Sequence, residues 1–230
     1  MDLSSEANSE AALRLQDIEL VVFDWDGTLM DSEGRIVASM QAAFRDLGLA
    51  SPPATAVRGV IGLGLEEAIR RLPGFDGEQT LAELIARYRH HYLIADATPT
   101  PLFEGVQALI EGLHARGRLL AVATGKSRRG LDQALDLTGL RPWFHATRCA
   151  EETFSKPHPG MLHELMDELG VSPAVTLMIG DTDYDLQMAH TAGVRVLAVG
   201  YGTQTPERLL AQQPLACAPS IAVLSDWLLH

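Results

Sequence analysis

Apolar positions along the chain follow two rhythms. The run Leu20–Phe23 (LVVF) is unbroken and reads as a buried strand. Residues 32–48 then place Ile36, Met40, Phe44 and Leu47 at helical spacing, with Ser32 suited to the N-cap and Gly48 to the stop. A short helical stretch, LEEAIRRL, comes next, and 78–94 carries Leu81, Leu84, Ile85, Tyr88 and Tyr92 on one helical face. Pro52, Pro53, Pro73 and Gly74 separate these pieces, so the block is wholly helical. From TPTPLFEGV onward, apolar runs at 119–123, Ala146–Cys149, 175–179 and 196–199 alternate with amphipathic stretches at 104–116, 129–138, 159–169 and 183–192. Continuous apolar strands alternating with helices predict a parallel sheet covered on both faces, to which Leu20–Phe23 also belongs. The expected organisation is α/β: a tail at 1–17, a discontinuous core at 18–33 and 100–230, and an all-helical insertion at 34–99. Inserted after the first strand, that block overhangs the C-terminal strand ends, where such sheets bind ligands.

Composition narrows the class. With 47% hydrophobic residues in 230, the chain can fill a sizeable core. No apolar run approaches the roughly 18 residues of a membrane span, and the acidic, polar opening MDLSSEANSE is unlike a secretory leader; the expectation is a cytoplasmic protein with no membrane partner. Cys149 and Cys217 lack any paired spacing, which predicts neither a disulfide framework nor a zinc site, and both are expected buried and reduced. Eighteen basic against 30 acidic residues, a net charge of -12, argue against nucleic acid. Attraction for an anionic substrate must be local.

Four strand ends carry candidate chemistry. FDWDGT brings Asp24 and Asp26, which share a facing in extended chain; LLAVATGKS brings Thr124 and Gly125; SKPHPG brings Lys156; LMIGDTDYD brings Asp181, Asp183 and Asp185. Each alone has a plain structural reading: a turn or capping aspartate, a turn threonine, a surface lysine, acids that offset a helix dipole. The four together require polar groups to converge at one sheet edge. In that order, Asp-x-Asp-Gly-Thr, strand-end Thr, Lys-Pro and Gly-Asp-x-x-x-Asp, the chain resembles the haloacid dehalogenase superfamily of phosphohydrolases over residues 18 to about 225.

The resemblance implies a Rossmann-like core with a helical cap, Asp24 as nucleophile forming an aspartyl phosphate, and Asp26 as acid and then base. It also implies Mg²⁺ held by Asp181, Asp185, the Asp24 carboxylate and the Asp26 backbone carbonyl, with Lys156, Thr124 and Gly125 on the phosphoryl oxygens. The physics agrees with the need for cations, since two unit charges about 4 Å apart repel by roughly 4 kcal/mol at an effective dielectric of about 20. Asp26 is expected to be protonated during attack, and its presence speaks against dehalogenation. Asp183 has no implied role beyond capping. Gly62 and Gly64 in GLGL are similar to cap segments of phosphoglycolate phosphatases, where backbone approaches substrate; a flexible helix linker is the plain alternative. Arg128 and Arg129 could meet a substrate carboxylate, although exposed arginines are commoner.

Other readings fare worse. ATGKS imitates a P-loop end, but Leu120 stands where that motif needs glycine. GLGLEE lacks both a preceding strand and a third glycine, and no Gly-x-Ser-x-Gly is present. A binding protein without turnover would not need the intact acid and lysine set. A sugar phosphomutase would share the aspartyl phosphate. The expected activity is therefore a Mg²⁺-dependent phosphatase acting on a small phosphorylated metabolite, 2-phosphoglycolate first, with a mutase as the alternative; nothing in the sequence signals an oligomeric state.

Overall fold

The computed structural model describes residues 15–75 and 77–230. Most of the expected tail lies outside the described residues, but Leu15 is buried against the core. Six parallel strands run β1 Leu20–Phe23, β2 Leu119–Thr124, β3 Ala146–Cys149, β4 Thr176–Gly180, β5 Arg195–Val199 and β6 Cys217–Ala218, in the order β3-β2-β1-β4-β5-β6. The first strand is thus central, and Phe23 pairs with Val122 on one side and Ile179 on the other. The three strands end together, so the residues just beyond them face one crevice at the point where strand order reverses.

The unbroken apolar strands are explained by two separate cores. Val21, Phe23, Leu120, Val122, Leu177 and Ile179 point to one face, while Leu20, Val22, Ala121, Ala123 and Met178 point to the other. The first face is covered by helices that we label after the insertion, α5 Val106–Ala115, α6 Arg128–Thr138 and α10 Ile221–Leu229; the second by α7 Gly160–Leu169 and α8 Asp183–Thr191. Between β1 and β2 lie α1 Glu33–Asp46, α2 Ala54–Arg58, α3 Leu65–Arg71 and α4 Glu78–His90, which close around a third core that includes Ile36, Met40, Phe44, Ile69 and Leu84. Each such buried side chain contributes roughly 1.5–3 kcal/mol, so the insertion has an apolar core of its own, distinct from the two that flank the sheet.

Where the elements differ from expectation, the reason is local. Helix α4 stops at His90 and widens into one π turn, His91–Ala95, that swings Tyr92 inward. α9 Pro206–Leu210 and β6 are too short to show periodicity, and α10 is so uniformly apolar that no face stands out. Ser32 sits at the N-cap of α1 but makes no capping bond, because its hydroxyl donates to Asp26. Cys149 is buried and Cys217 only half-buried; both are free thiols. No helix among the described residues is long and apolar enough to cross a membrane.

Candidate active site

Strand β1 ends at Phe23, and the chain then enters a tight loop instead of extending the strand. The Trp25 carbonyl accepts from Leu29 and Met30 N–H groups, and Gly27 turns the chain at φ 86°. Trp25 is fully buried, its ring edge-on to Phe144 and its Nε1–H directed at Met30 Sδ. The tryptophan thus anchors the loop into one core, which fixes Asp24 and Asp26 on the side of the crevice. A Cβ on Gly27 would lie 2.1 Å from Asp181 Oδ2, so only glycine lets the loop approach Asp181 so closely.

Around Asp24 the acids and lysine meet. Asp24, Asp181 and Asp185 each offer a carboxylate oxygen within 4.8 Å of the others, all buried. Lys156 Nζ donates to Asp24 Oδ1 at 2.9 Å and to Asp185 Oδ1 at 2.6 Å. Asp24 Oδ1 also accepts the Trp25 N–H at 2.7 Å, but its Oδ2 is buried without a partner, as is the neighbouring Thr203 Oγ1. Asp181 accepts from the Thr28 hydroxyl at 2.9 Å and the Thr203 N–H at 2.8 Å. Asp185 accepts from both the amide and hydroxyl of Thr182 in a capping box that opens α8. The cap of that helix is therefore Thr182 with Asp185, not Asp183, whose carboxylate is bound by Gln204 and Arg208.

Electrostatics mark this cluster as incomplete without a cation. Burial, then the repulsion of Asp185 and Asp181, drives Asp24 well above the usual carboxylate range despite Lys156. Burial and Asp185 push Asp181 up to about 6, against the hydrogen bonds from Thr203 and Thr28. Burial alone would discharge Lys156, yet Asp185 and Asp24 hold its pKa above the ordinary lysine value. When ionised, three carboxylates against one ammonium leave two negative charges, matched by one divalent ion bound by hard oxygens. The partnerless Asp24 Oδ2 fits that requirement.

The raised Asp181 pKa couples stability to pH. Folded Asp181 keeps its proton up to about 6 while the unfolded chain releases it near 3.8. Its contribution to the metal-free fold is therefore present below that window and lost as pH rises through it. Asp181→Asn should gain on wild type across the window by up to about 3 kcal/mol, read as the difference in unfolding free energy with chelator present. A difference that shrinks with rising pH would contradict the assignment.

A cavity of about 80 Å³ opens over Asp24, lined on the core side by Asp26, Thr124, Gly125 and Lys126 and on the insertion side by α1 to α3 and the tyrosines of α4 and its π turn. Asp26 accepts from Ser32 Oγ at 2.6 Å and from Lys126 Nζ at 2.8 and 3.1 Å. Lys126 also donates to Tyr92 Oη at 2.8 Å and lies 4.3 Å from that ring's centroid. The insertion is seated on the core by Tyr184 Oη donating to the Gly59 carbonyl, the Gly64 N–H donating to Ser155 Oγ and an Arg89–Glu151 ion pair. A Cβ on Gly125 would meet the Leu63 carbonyl oxygen at 2.4 Å.

Comparison with known proteins agrees with this geometry. The family model described as haloacid dehalogenase-like hydrolase matches residues 21–199. The chain belongs to this family. Within it, the chain is 37% identical over 201 residues to a probable phosphatase IndB of Dickeya dadantii, covering 85% of this chain and 86% of that one. It is 32% identical to a 5'-nucleotidase of Pseudomonas aeruginosa, covering 94% and 96%, and 30% identical to a phosphoglycolate phosphatase of Aliivibrio fischeri, covering 86% and 91%. A crystal structure of a predicted phosphoglycolate phosphatase from Haemophilus somnus shares the fold at a TM-score of 0.83 and 24% identity, covering 91% and 97%. These relatives place the protein among phosphoric monoester hydrolases.

For this hydrolase, the residues expected from sequence fall unevenly around the crevice. Asp24, Asp26, Thr124, Gly125, Lys156, Asp181 and Asp185 converge at the strand ends, while Gly62 lines the cavity and Gly64 does not. The close approaches those two glycines permit are to Thr182, Ala150 and Ser155, and the Gly64 amide is already used by Ser155; both serve the seating of the insertion. Arg128 turns away to Glu152 and Thr147, and Arg129 is exposed. Lys126 and Tyr92 join the site without having stood out in the sequence. The signal for Lys126 lies in ATGKS, two residues beyond a strand-end threonine whose hydroxyl accepts the Lys126 N–H at 3.1 Å.

Proposed function

We propose that this chain is a Mg²⁺-dependent phosphatase that hydrolyses a small phosphate ester, of about phosphoglycolate size, through an aspartyl phosphate on Asp24. The observation that carries the reading is the buried carboxylate of Asp24, with one oxygen held by Lys156 and the Trp25 amide and the other without a partner, in the cavity between core and insertion beside Asp26. A nucleophile so held is oriented without being quenched. The relatives named phosphatase support the reaction class, and the phosphoglycolate phosphatases among them support a small ester.

Asp24 attacks phosphorus, forming the acyl phosphate bond as the ester P–O bond breaks and the leaving oxygen takes a proton from Asp26. Asp26, then a carboxylate, draws a proton from water as that water attacks the phosphorus and returns Asp24. Lys156 holds Asp24 in place and adds positive charge, while the Thr124 hydroxyl and Gly125 N–H donate to the phosphoryl oxygens. Mg²⁺ bound by Asp24, Asp181, Asp185 and the Asp26 carbonyl would offset the repulsion between carboxylate and phosphate. For Asp26 to give up a proton, Lys126 must release one of its oxygens, and the same ammonium is gripped by Tyr92 of the insertion. The insertion acts as a cap: seated, it excludes water and fixes this contact; lifted, it admits the ester.

The test is phosphate release from a panel of metabolite phosphates with and without Mg²⁺, with Asp24→Asn as blank. The expected result is metal-dependent release that the variant lacks. Isomerised sugar phosphate without free phosphate would replace this reading by a mutase, and release undiminished by chelator would remove the metal from it. Mg²⁺ should also raise the thermal midpoint, and by more above pH of about 6 than below it, because the ion competes with the proton on Asp181. An equal rise at both sides would contradict that ligand set.

A further inference from the structure

The insertion's side of the cavity narrows the alcohol that the ester carries. Ile36 and Met40 of α1, Val57 of α2, Val60 and Ile61 just after it, and Leu65 of α3 face Asp24, Asp26 and Thr124 across the cavity. Two cations border this space, and both are engaged. Lys126 donates to both oxygens of Asp26 and to Tyr92 Oη. Arg89 lies at the rim, half-exposed, with its guanidinium donating to Glu151 across the seam between insertion and core. Among the described residues the lining holds no third basic side chain.

A substrate carboxylate seated here would lose its water to a hydrocarbon wall without gaining a counter-charge. Lys126 already meets Asp26 and Tyr92, so a carboxylate would have to share its ammonium with acceptors in place, and Arg89 stands half-exposed at the rim, where a solvated guanidinium adds little to a carboxylate. A neutral hydrocarbon group meets neither cost and gains from contact with Ile36, Met40 and Val60. We infer, on the reading that this site is a phosphatase, that its preferred substrate is a phosphate monoester of a small neutral alcohol with hydrocarbon next to the ester carbon, and that anionic alcohols such as glycolate are rejected.

The test pairs 2-phosphoglycolate with isobutyl phosphate, in which a dimethyl-substituted carbon replaces the carboxylate at nearly equal shape. With Mg²⁺ present, kcat/KM for isobutyl phosphate should exceed that for 2-phosphoglycolate by at least about tenfold. A ratio of one or less overturns the inference while leaving the phosphatase reading intact. No phosphate from either ester or from an aryl phosphate overturns the phosphatase reading itself. Val60→Lys, with its fold checked by circular dichroism, should move the ratio toward 2-phosphoglycolate by about tenfold. A folded variant with an unchanged ratio shows that this wall does not select the alcohol and also overturns the inference. Should the variant fail to fold, the wild-type ratio decides alone.

Discussion

Asp24→Asn should abolish turnover, lowering kcat by on the order of 10⁴-fold or more, equivalent to about 5 kcal/mol of transition-state stabilisation. A carboxamide keeps the shape and can still meet Lys156, but it has no charge with which to attack phosphorus. The same variant should not lose stability. Ionised Asp24 is buried beside Asp181 and Asp185, and its pKa is driven up by that burial and repulsion, so neutralising it relieves the metal-free fold at neutral pH. Steady-state kinetics and chemical denaturation on one preparation check both halves. Lost activity with a lowered unfolding free energy would mark Asp24 as structural; retained activity would remove it from the chemistry.

Lys156→Met should be the most damaging single change to the fold itself. Its ammonium is fully buried between Asp24 and Asp185 and is the only basic group that the described hydrogen bonds bring to the three-acid cluster. Removing one partner of a buried ion pair strands the other, which costs about 3–5 kcal/mol. The loss should be largest with chelator and partly recovered with Mg²⁺, since the ion supplies the missing positive charge. Adding Asp24→Asn to Lys156→Met should recover part of it as well, through a negative charge removed rather than a positive one supplied. Denaturant titrations of the four combinations measure this directly. A Lys156→Met protein as stable as wild type without metal would show that the acids are not ionised around it.

How much of the fold and the site is legible in the sequence depends on the range over which each feature is encoded. Strand ends are local events: an apolar run, then a polar residue and a turn former, are contiguous in FDWDGT, LLAVATGKS and LMIGDTDYD, so the elements carrying Asp24, Thr124 and Asp181 can be read directly. The convergence of those ends is implied by strand alternation, because parallel crossovers bring C-terminal ends to one edge. Lys126 and Tyr92 escape such a reading because their meeting is not local. It needs a π turn at the end of α4 to carry Tyr92 inward and a loop after β2 to aim Lys126 at Asp26. Ser32 reads as a cap from its position alone, but a competing acceptor six residues upstream takes its hydroxyl. Gly62 and Gly64 are legible as positions needing close approach, but not as to which neighbour approaches; in the structure it is Thr182, Ala150 and Ser155.

The covalent role of Asp24 is tested most directly by the stereochemistry at phosphorus, using a phosphorothioate ester made chiral by sulfur and two oxygen isotopes and hydrolysed in water of the third isotope, so that the released thiophosphate is itself chiral. Two successive in-line displacements, first by Asp24 and then by water, predict retention of configuration in the released thiophosphate. Inversion, the outcome of a single attack by water with Asp24 as a mere metal ligand or base, would contradict the account.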